Sequence, residues 1–513
     1  FTSAEEAARK EVKRQYAESH PKKVEAKDGR FYIDGNPFYF RATHFGGEYP
    51  LTGHPSTDKN WWRKMMRTIK EWGLNGIRFH SYCPPEAAFA VADEEDIALL
   101  VECGMWNHFE DTPNGQEMWE VLKYETRKIL ENFGHHPSFV FFSPSNEPGG
   151  AWHQPLRRWV SESKEYDEQL GYGGRRIYTA QSGWPFEVPA AEVEGMDFIY
   201  FHRSGFGPLV GGNIRNHQGW NGKDFSVSIE GVKMPVVCHE LGQTCAYPNY
   251  DIIDKFTGYL QPGNYKVFKE CARANGVLPY ADEFVKCSGE NQLRIYKEEL
   301  EANFRTPEIQ GFEMLDLHDY LGQGTALVGI LDAFWENKGY GDPVLFRNNC
   351  SDTVLLTRCS SYVWKNTDST VIPVEVCHYG KEDIKDAVIQ WKLTDKDAVL
   401  MAGELAVDFI PRGGNTAAGN ISLNFAQNKE SKELTLMLTL EKGNVKSTNS
   451  WKLYVFAKAE EVALPNENFV YTRDWEEAKS GLEAGKKVVF IPYLSEFFYG
   501  FLMVFMSPMG KIE

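Results

Sequence analysis

Between about residue 38 and residue 319 the chain alternates short apolar runs with amphipathic or polar stretches, and few folds accept that rhythm. Eight runs are predicted as strands: Phe38–His44, Gly76–Ser81, Ala98–Cys103, Phe139–Ser143, Ile177–Gln181, Phe198–His202, Val236–His239 and Phe312–Leu317. The intervening Asp58–Trp72 opens with an Asp cap and carries Trp61, Trp62, Met65, Met66 and Ile69 at helical spacing. Pro85–Asp93, Gln116–Asn132 and Leu156–Gln169 are further expected helices. Eight such units fit a closed (β/α)8 TIM barrel better than an open doubly wound sheet.

After about residue 345 the texture becomes short alternating strands with Gly and Asn turns, as in Val371–Cys377, Ala387–Lys392, Leu434–Leu440 and Lys452–Ala457. That pattern predicts an immunoglobulin-like β-sandwich. From about 461, Arg473–Leu482 reads as a helix and Lys487–Pro492 as a strand, the start of a partial α/β segment. The expected organisation is an N-terminal helix and linker (1–25), a barrel (26–345), an accessory sandwich (346–460) and the α/β segment (461–513). Ser3 to Glu6 forms a possible capping box, with no apolar region behind basic residues, so an exported protein would already have lost its signal. The apolar run Phe497–Met506 is far shorter than the roughly 20 residues of a spanning helix, and reads as a buried strand or a segment without its packing partner. No membrane association is expected.

A formal net charge of −17 argues against a polyanion-binding surface, so no nucleic-acid partner is expected. The 9 cysteines are an odd number without CxxC pairs, which predicts at least one free thiol and small buried side chains in place of a disulfide framework. The 14 Trp residues exceed ordinary packing needs and suit stacking against sugar rings.

In a barrel the active site lies at the C-terminal ends of the strands. Glu147, just past the fourth strand, and Glu240, just past the seventh, are the acidic residues placed there in apolar strand contexts. Glycosidic cleavage needs one carboxylic acid to protonate the leaving oxygen and one carboxylate across the anomeric carbon. His44, His80, His202 and His239 also sit at strand ends, in hydroxyl-binding or supporting roles. Trp106 and Trp184 are candidate sugar platforms, while Asp316, His318, Asp319 and Gln323 form a dense polar cluster suited to hydroxyls or to bracing loops. His135 and His136 precede the fourth strand and are expected on the opposite, structural face. No set of these histidines has zinc-ligand spacing, so neither a catalytic metal nor a cofactor is expected.

The segments Gly29-Arg-Phe-Tyr-Ile-Asp-Gly-Asn-Pro-Phe leading to Arg41 and His44, Gly73-Leu-Asn-Gly-Ile-Arg-Phe-His-Ser-Tyr, Ala92-Asp-Glu, His136-Pro-Ser and Asn146-Glu147 together resemble the catalytic barrel of glycoside hydrolase family 2 over residues 29 to about 345. Phe79-His-Ser-Tyr-Cys-Pro-Pro-Glu, Val237-Cys-His-Glu-Leu-Gly-Gln and Leu315-Asp-Leu-His-Asp-Tyr resemble, more narrowly, a branch common in polysaccharide-degrading Bacteroidetes. The resemblance implies Glu147 as acid/base and Glu240 as nucleophile, with Arg78 holding Glu240 ionised and Asn146 contacting the sugar 2-hydroxyl. It also implies a periplasmic or secreted protein acting on oligo- or polysaccharide. Two features depart from the family. Its glucuronidases hold the sugar carboxylate with Asn-x-Lys, whereas Asn337 and Lys338 are adjacent here, and the β-sandwich domains that usually precede the barrel have no counterpart in the short segment before it.

The expected activity is that of a retaining exo-β-glycosidase, first a β-galactosidase and second a β-glucuronidase, with endo action open. A bell-shaped pH–rate profile follows from the paired carboxylates. The rival readings are an inactive carbohydrate-binding barrel and a metal-dependent barrel hydrolase. Oligomeric state is not readable from the sequence.

Overall fold

The computed structural model describes residues 2–105, 108–109, 113–180, 182–183, 195–202, 221–458 and 468–491, and their side chains except those of 108–109, 113–115, 201–202 and 227–228. Trp106, Trp184 and the run Phe497–Met506 lie outside the described residues, and His202 is described by its backbone alone.

Eight parallel strands form one curled sheet: β1 (Phe40–Phe45), β2 (Gly76–Phe79), β3 (Ala98–Glu102), β4 (Phe139–Ser143), β5 (Ile177–Tyr178), β6 (Ile199–His202), β7 (Val236–Gly242) and β8 (Ile309–Leu315). Their lateral order, 5-4-3-2-1-8-7-6, is the cyclic order of a (β/α)8 barrel. The seam between β5 and β6 is bridged by backbone hydrogen bonds from Asp197 N–H to Tyr178 O (2.9 Å) and from Gly183 N–H to Tyr200 O (3.0 Å). Strands β1 to β4 are buried along their whole length, as parallel strands enclosed on both faces must be, and are largely apolar apart from the polar side chains gathered near their ends.

The helix Lys59–Glu71 shows how the outer layer is placed. Asp58 caps it by accepting from Asn60 N–H, and Trp62, Met65, Met66 and Ile69 bury one stripe against the barrel. Gly73 ends it at φ 83°, where a Cβ would meet the Cys350 carbonyl at 1.9 Å, so no other residue fits.

The floor of the barrel is a three-stranded antiparallel sheet, Val24–Lys27, Arg30–Ile33 and Asn36–Phe38. Its fully buried Phe31 meets Phe141 edge-on at 5.2 Å and Phe198 at 5.7 Å. The N-terminal helix Ser3–Ser19 is capped one residue earlier than expected. Thr2 remains extended while its hydroxyl accepts from Glu5 N–H and the Glu5 carboxylate accepts from Thr2 N–H, because Ser3 is already helical.

The sandwich within residues 346–456 pairs a sheet of Thr353–Thr357, Ser369–His378 and Gly414–Asn424 with one of Val363–Lys365, Val445–Phe456, Lys432–Lys442, Ile384–Asp395 and Ala398–Ile410. Leu355, Ile372, Ile389, Leu436, Leu438 and Trp451 fill its core. It joins the barrel through the helix Ala281–Arg305: Trp451 Nε1 donates to Glu301 Oε2 (3.0 Å), and Lys297 bridges Glu301 and Asn449. Residues 1–456 form one compact unit.

In the second unit, the strands Phe469–Thr472 and Lys487–Phe490 pair in parallel around the helix Trp475–Glu483, capped by Asp474. All 9 cysteines are free; Cys245, Cys271 and Cys287 are exposed and not the buried small residues expected.

Candidate active site

Arg78, at the end of β2, is fully buried at the centre of the barrel mouth. Its Nε and Nη2 donate to the two oxygens of Glu102 on β3 (2.9 and 3.2 Å), Nη2 also donates to Asn146 Oδ1 (2.5 Å), and Nη1 donates to Glu240 Oε1 (3.3 Å). Glu313 on β8 lies 3.5 Å from Nη1. Burial opposes the charge of Arg78, but the surrounding carboxylates outweigh it and raise its pKa well above the usual value. Burial likewise opposes ionisation of Glu102, and Arg78 and His80 overcome it, holding its pKa near about 2.

Glu240 reaches this mouth by a local break in β7. Between Cys238 and Leu241 the register against β8 slips, three steps on β7 facing two from Phe312 to Met314. The extra residue is a β-bulge, and Glu240 takes φ 51° within it. Its N–H donates to Glu313 Oε2 (2.9 Å), an oxygen that also accepts from Tyr200 OH (2.9 Å), and its Oε2 accepts from Gln243 Nε2 (2.9 Å). Burial raises the pKa of Glu313.

Glu147 is set by a comparable departure from regular backbone. It follows Asn146 in the turn after β4, has φ 41°, and donates its N–H to Ser182 O (2.6 Å). Gly183 makes room for it, since a Cβ there would come within 2.7 Å of Glu147 Cγ. Left-handed backbone at two non-glycine residues whose side chains approach each other is a strained state that surrounding structure must enforce, and such states cluster at functional sites. His239 Nε2 lies 3.2 Å from Asn146 Oδ1; an amide oxygen only accepts, so Nε2 carries the proton. A ligating nitrogen of His239 and one carboxylate oxygen each from Glu147 and Glu240 lie within 4.8 Å of one another.

Beside this pair lies a second polar group from β1 and β8. Asp316 accepts from Thr43 Oγ1 (2.7 Å) and bonds His44 Nδ1 (3.0 Å) and His318 Nδ1 (3.1 Å). Burial disfavours both charges, yet Asp316 is held near about 2 by His318 and His44, and His318 is raised to about 10 by Asp316 and Glu48. His318 is therefore an imidazolium at neutral pH, and it stacks on Trp335 with ring centroids 4.2 Å apart. His80 bonds Ser81 Oγ through Nδ1 (2.9 Å), and burial lowers its pKa.

The structure brings Arg78, Asn146, Glu147, His239 and Glu240 into one mouth, with His44, His80, Asp316 and His318 alongside. Asp319 stands apart: Lys338 Nζ (2.6 Å), Gly329 N–H (3.1 Å) and Tyr265 OH (3.2 Å) engage its oxygens, so it braces the following loop. Gln323 is exposed. Sequence reasoning missed Glu102, Glu313, Tyr200, Gln243, Glu48 and Gly183. For Glu102 and Glu313 the signal was an acidic residue inside an apolar strand, as in Ala98-Leu-Leu-Val-Glu102 and Phe312-Glu313-Met314; the other four carried none.

The fold is that of a (β/α)8 barrel followed by a β-sandwich, and it is shared with solved structures of glycosidases. The chain superposes on a β-D-mannosidase from Dictyoglomus thermophilum with TM-score 0.56 at 14% identity, covering 85% of this chain and 54% of that one. It superposes on an exo-chitosanase from Amycolatopsis orientalis with TM-score 0.54 at 13% identity, covering 84% and 51%. In sequence it is 24% identical over 152 residues to a β-galactosidase of Photobacterium profundum, a match spanning 28% of this chain and 14% of that protein. It is 32% identical over 125 residues to a β-galactosidase of Thermoanaerobacter pseudethanolicus, spanning 23% and 16%. The chain thus matches about half the length of the structures and a small part of the curated relatives. Residues 368–457, in the sandwich, match a family model described as a domain of unknown function (DUF8488).

Proposed function

We propose that the protein is a retaining β-glycosidase in which Glu147 is the general acid/base and Glu240 the nucleophile. The observation that carries this reading is the approach of their carboxylate oxygens to within 4.8 Å. Retaining enzymes keep their carboxyls about 5–5.5 Å apart, whereas inverting ones need roughly 6.5–9.5 Å to admit a water.

In the first step Glu240 attacks the anomeric carbon, the glycosidic C–O bond breaks, and Glu147 gives its proton to the departing oxygen. Water then attacks the glycosyl ester, giving a proton back to Glu147 and releasing Glu240 as carboxylate. Arg78 keeps Glu240 ionised, and Asn146, held by Arg78 and His239, presents its amide to the sugar 2-hydroxyl. His80 borders the sugar site, and the buried group His44, Asp316 and His318 supports it from behind.

The substrate class is a terminal β-linked sugar of an oligo- or polysaccharide, best a β-galactoside, as the two curated relatives suggest. β-Glucuronide is the alternative, and the geometry weighs against it: Lys338 Nζ is engaged by Asp319 and the Gly329 carbonyl, and Asn337 Nδ2 by the Gly341 carbonyl. Residues 26–345 would be the catalytic domain and 346–460 an accessory one. No helix of the described residues is long and apolar enough to cross a membrane, and a periplasmic or secreted location belongs to this proposal.

The test is hydrolysis of nitrophenyl β-galactoside, glucuronide, mannoside, glucoside and xyloside by the wild type and Glu240→Gln. Turnover of one sugar that falls by roughly 10⁴-fold or more in the variant is expected. Sugar binding without turnover, unchanged by the substitution, would replace the enzyme reading with that of a carbohydrate-binding barrel.

A further inference from the structure

A second cluster of titratable side chains lies at the opposite end of the barrel, and the glycosidase chemistry has no use for it. His135 and His136 precede β4 with ring centroids 4.1 Å apart. His136 Nδ1 lies 2.6 Å from Asp93 Oδ2, and His136 Nε2 lies 3.1 Å from Glu86 Oε1. His135 is 6% exposed, and its Nδ1 is buried with no hydrogen-bond partner. Leaving such an atom unsatisfied is unfavourable, and an occupant that engages it would relieve that cost. One ligating atom from each of Glu86, His135 and His136 lies within 4.8 Å of the other two.

We propose that Glu86, His135 and His136 form a binding site for one divalent transition-metal ion of the zinc type, a structural site distinct from the catalytic mouth. Two imidazoles and a carboxylate are a zinc donor set, and the exposed side of Glu86 leaves the fourth position to water. His136 Nε2 and Glu86 Oε1 already stand close to the ~3.3 Å edge of a tetrahedron built on bonds of about 2.0 Å. Asp93 on Nδ1 supplies the carboxylate–histidine–metal relay that fixes the ring and strengthens it as a ligand.

Binding is an exchange. The ion takes the place of the proton between His136 Nε2 and Glu86, and that proton leaves to solvent. The ion would also hold the N-terminal helix. Tyr16 lies against both rings, with centroids 5.7 Å from each, and its hydroxyl donates to the same Asp93 oxygen (2.9 Å).

The experiment strips the full chain with chelator, then measures retained metal after titration with Zn²⁺ alone and the visible spectrum after titration with Co²⁺ alone. One equivalent of Zn²⁺, a tetrahedral Co²⁺ spectrum and a higher Tm are expected. Glu86→Gln, at an exposed position, and His135→Asn should each weaken binding by about 10-fold or more. His239→Asn, at the rim, should leave it intact. No uptake above buffer, uptake unchanged in both Glu86→Gln and His135→Asn, or uptake lost only in His239→Asn would each overturn the proposal.

Discussion

The sandwich and the barrel bury different things. Among the described residues of 346–456 no Asp, Glu, Lys or Arg is buried, and the interior is aliphatic with Phe425 and Trp451. The barrel buries Arg78, Glu102, Glu313, Asp316 and Asp319 almost completely. Taking an ion out of water costs several kcal/mol, and an apolar replacement is often at least as stable. The sandwich follows the rule for stability. The barrel departs from it at the strand ends where Glu147 and Glu240 also leave regular backbone, and again in structural pairs such as Arg176–Asp167 and Arg305–Glu301.

The sharpest way to break that division is Glu147→Gln, expected to lower turnover by roughly 10²–10⁴-fold with little change in Tm. The loss should be greatest for substrates with poor leaving groups, measured across a series of aryl and alkyl glycosides. Leu436→Ala in the sandwich is the opposite case: about 2–5 kcal/mol less stability in urea unfolding, with kcat per folded molecule unchanged. A large kcat effect there would show that the sandwich shapes the site.

Glu313→Ala lies between, since it removes the acceptor for the Glu240 N–H and frees Tyr200 OH. Misplacing a reacting group by about 1 Å costs up to ~10²-fold, and that loss should fall on kcat and not on KM. Asp316→Asn is read in stability and not in turnover, as a pH-dependent Tm difference. His318 has a folded pKa of about 10, above its unfolded value, so its contribution is full below about 6.5 and is lost as pH rises through 10. Asp316 at about 2 lies below its unfolded value, so its contribution is present above about 4 and is lost as pH falls through 2. The gap between wild type and variant should therefore be widest near pH 4–6.5 and close towards pH 10; a gap independent of pH would remove the ion pair from the account.

The barrel strands were legible because parallel strands buried on both faces leave a run of apolar residues that amphipathic helices interrupt. Ala398–Ile410 and Gly414–Asn424 were missed for the converse reason: half-exposed strands holding Gly403 and Gly419 show weak alternation and resemble loops. At the site, Glu147, Glu240, Arg78 and Asn146 were readable from position at strand ends and from motif. Glu102 and Glu313 were not, because a charge inside an apolar strand looks like an interruption until Arg78 supplies its counter-ion through space. The bulge that turns Glu240 inward was equally hidden, being a matter of counting residues against a partner strand over seventy positions away.

The β5–β6 seam gives the barrel a mechanical direction. Among the described residues seven sides of the hoop are closed by strand ladders, and the eighth carries the backbone hydrogen bonds of Asp197 and of Gly183, the residue whose missing side chain admits Glu147. Native-state amide exchange at Asp197 and Gly183 should outpace that at Ile77 and Leu100, which sit in the middle of paired strands. An opening at this seam would be felt first by Glu147 and last by Arg78, so that loosening there moves Glu147 while Glu240 keeps its cation.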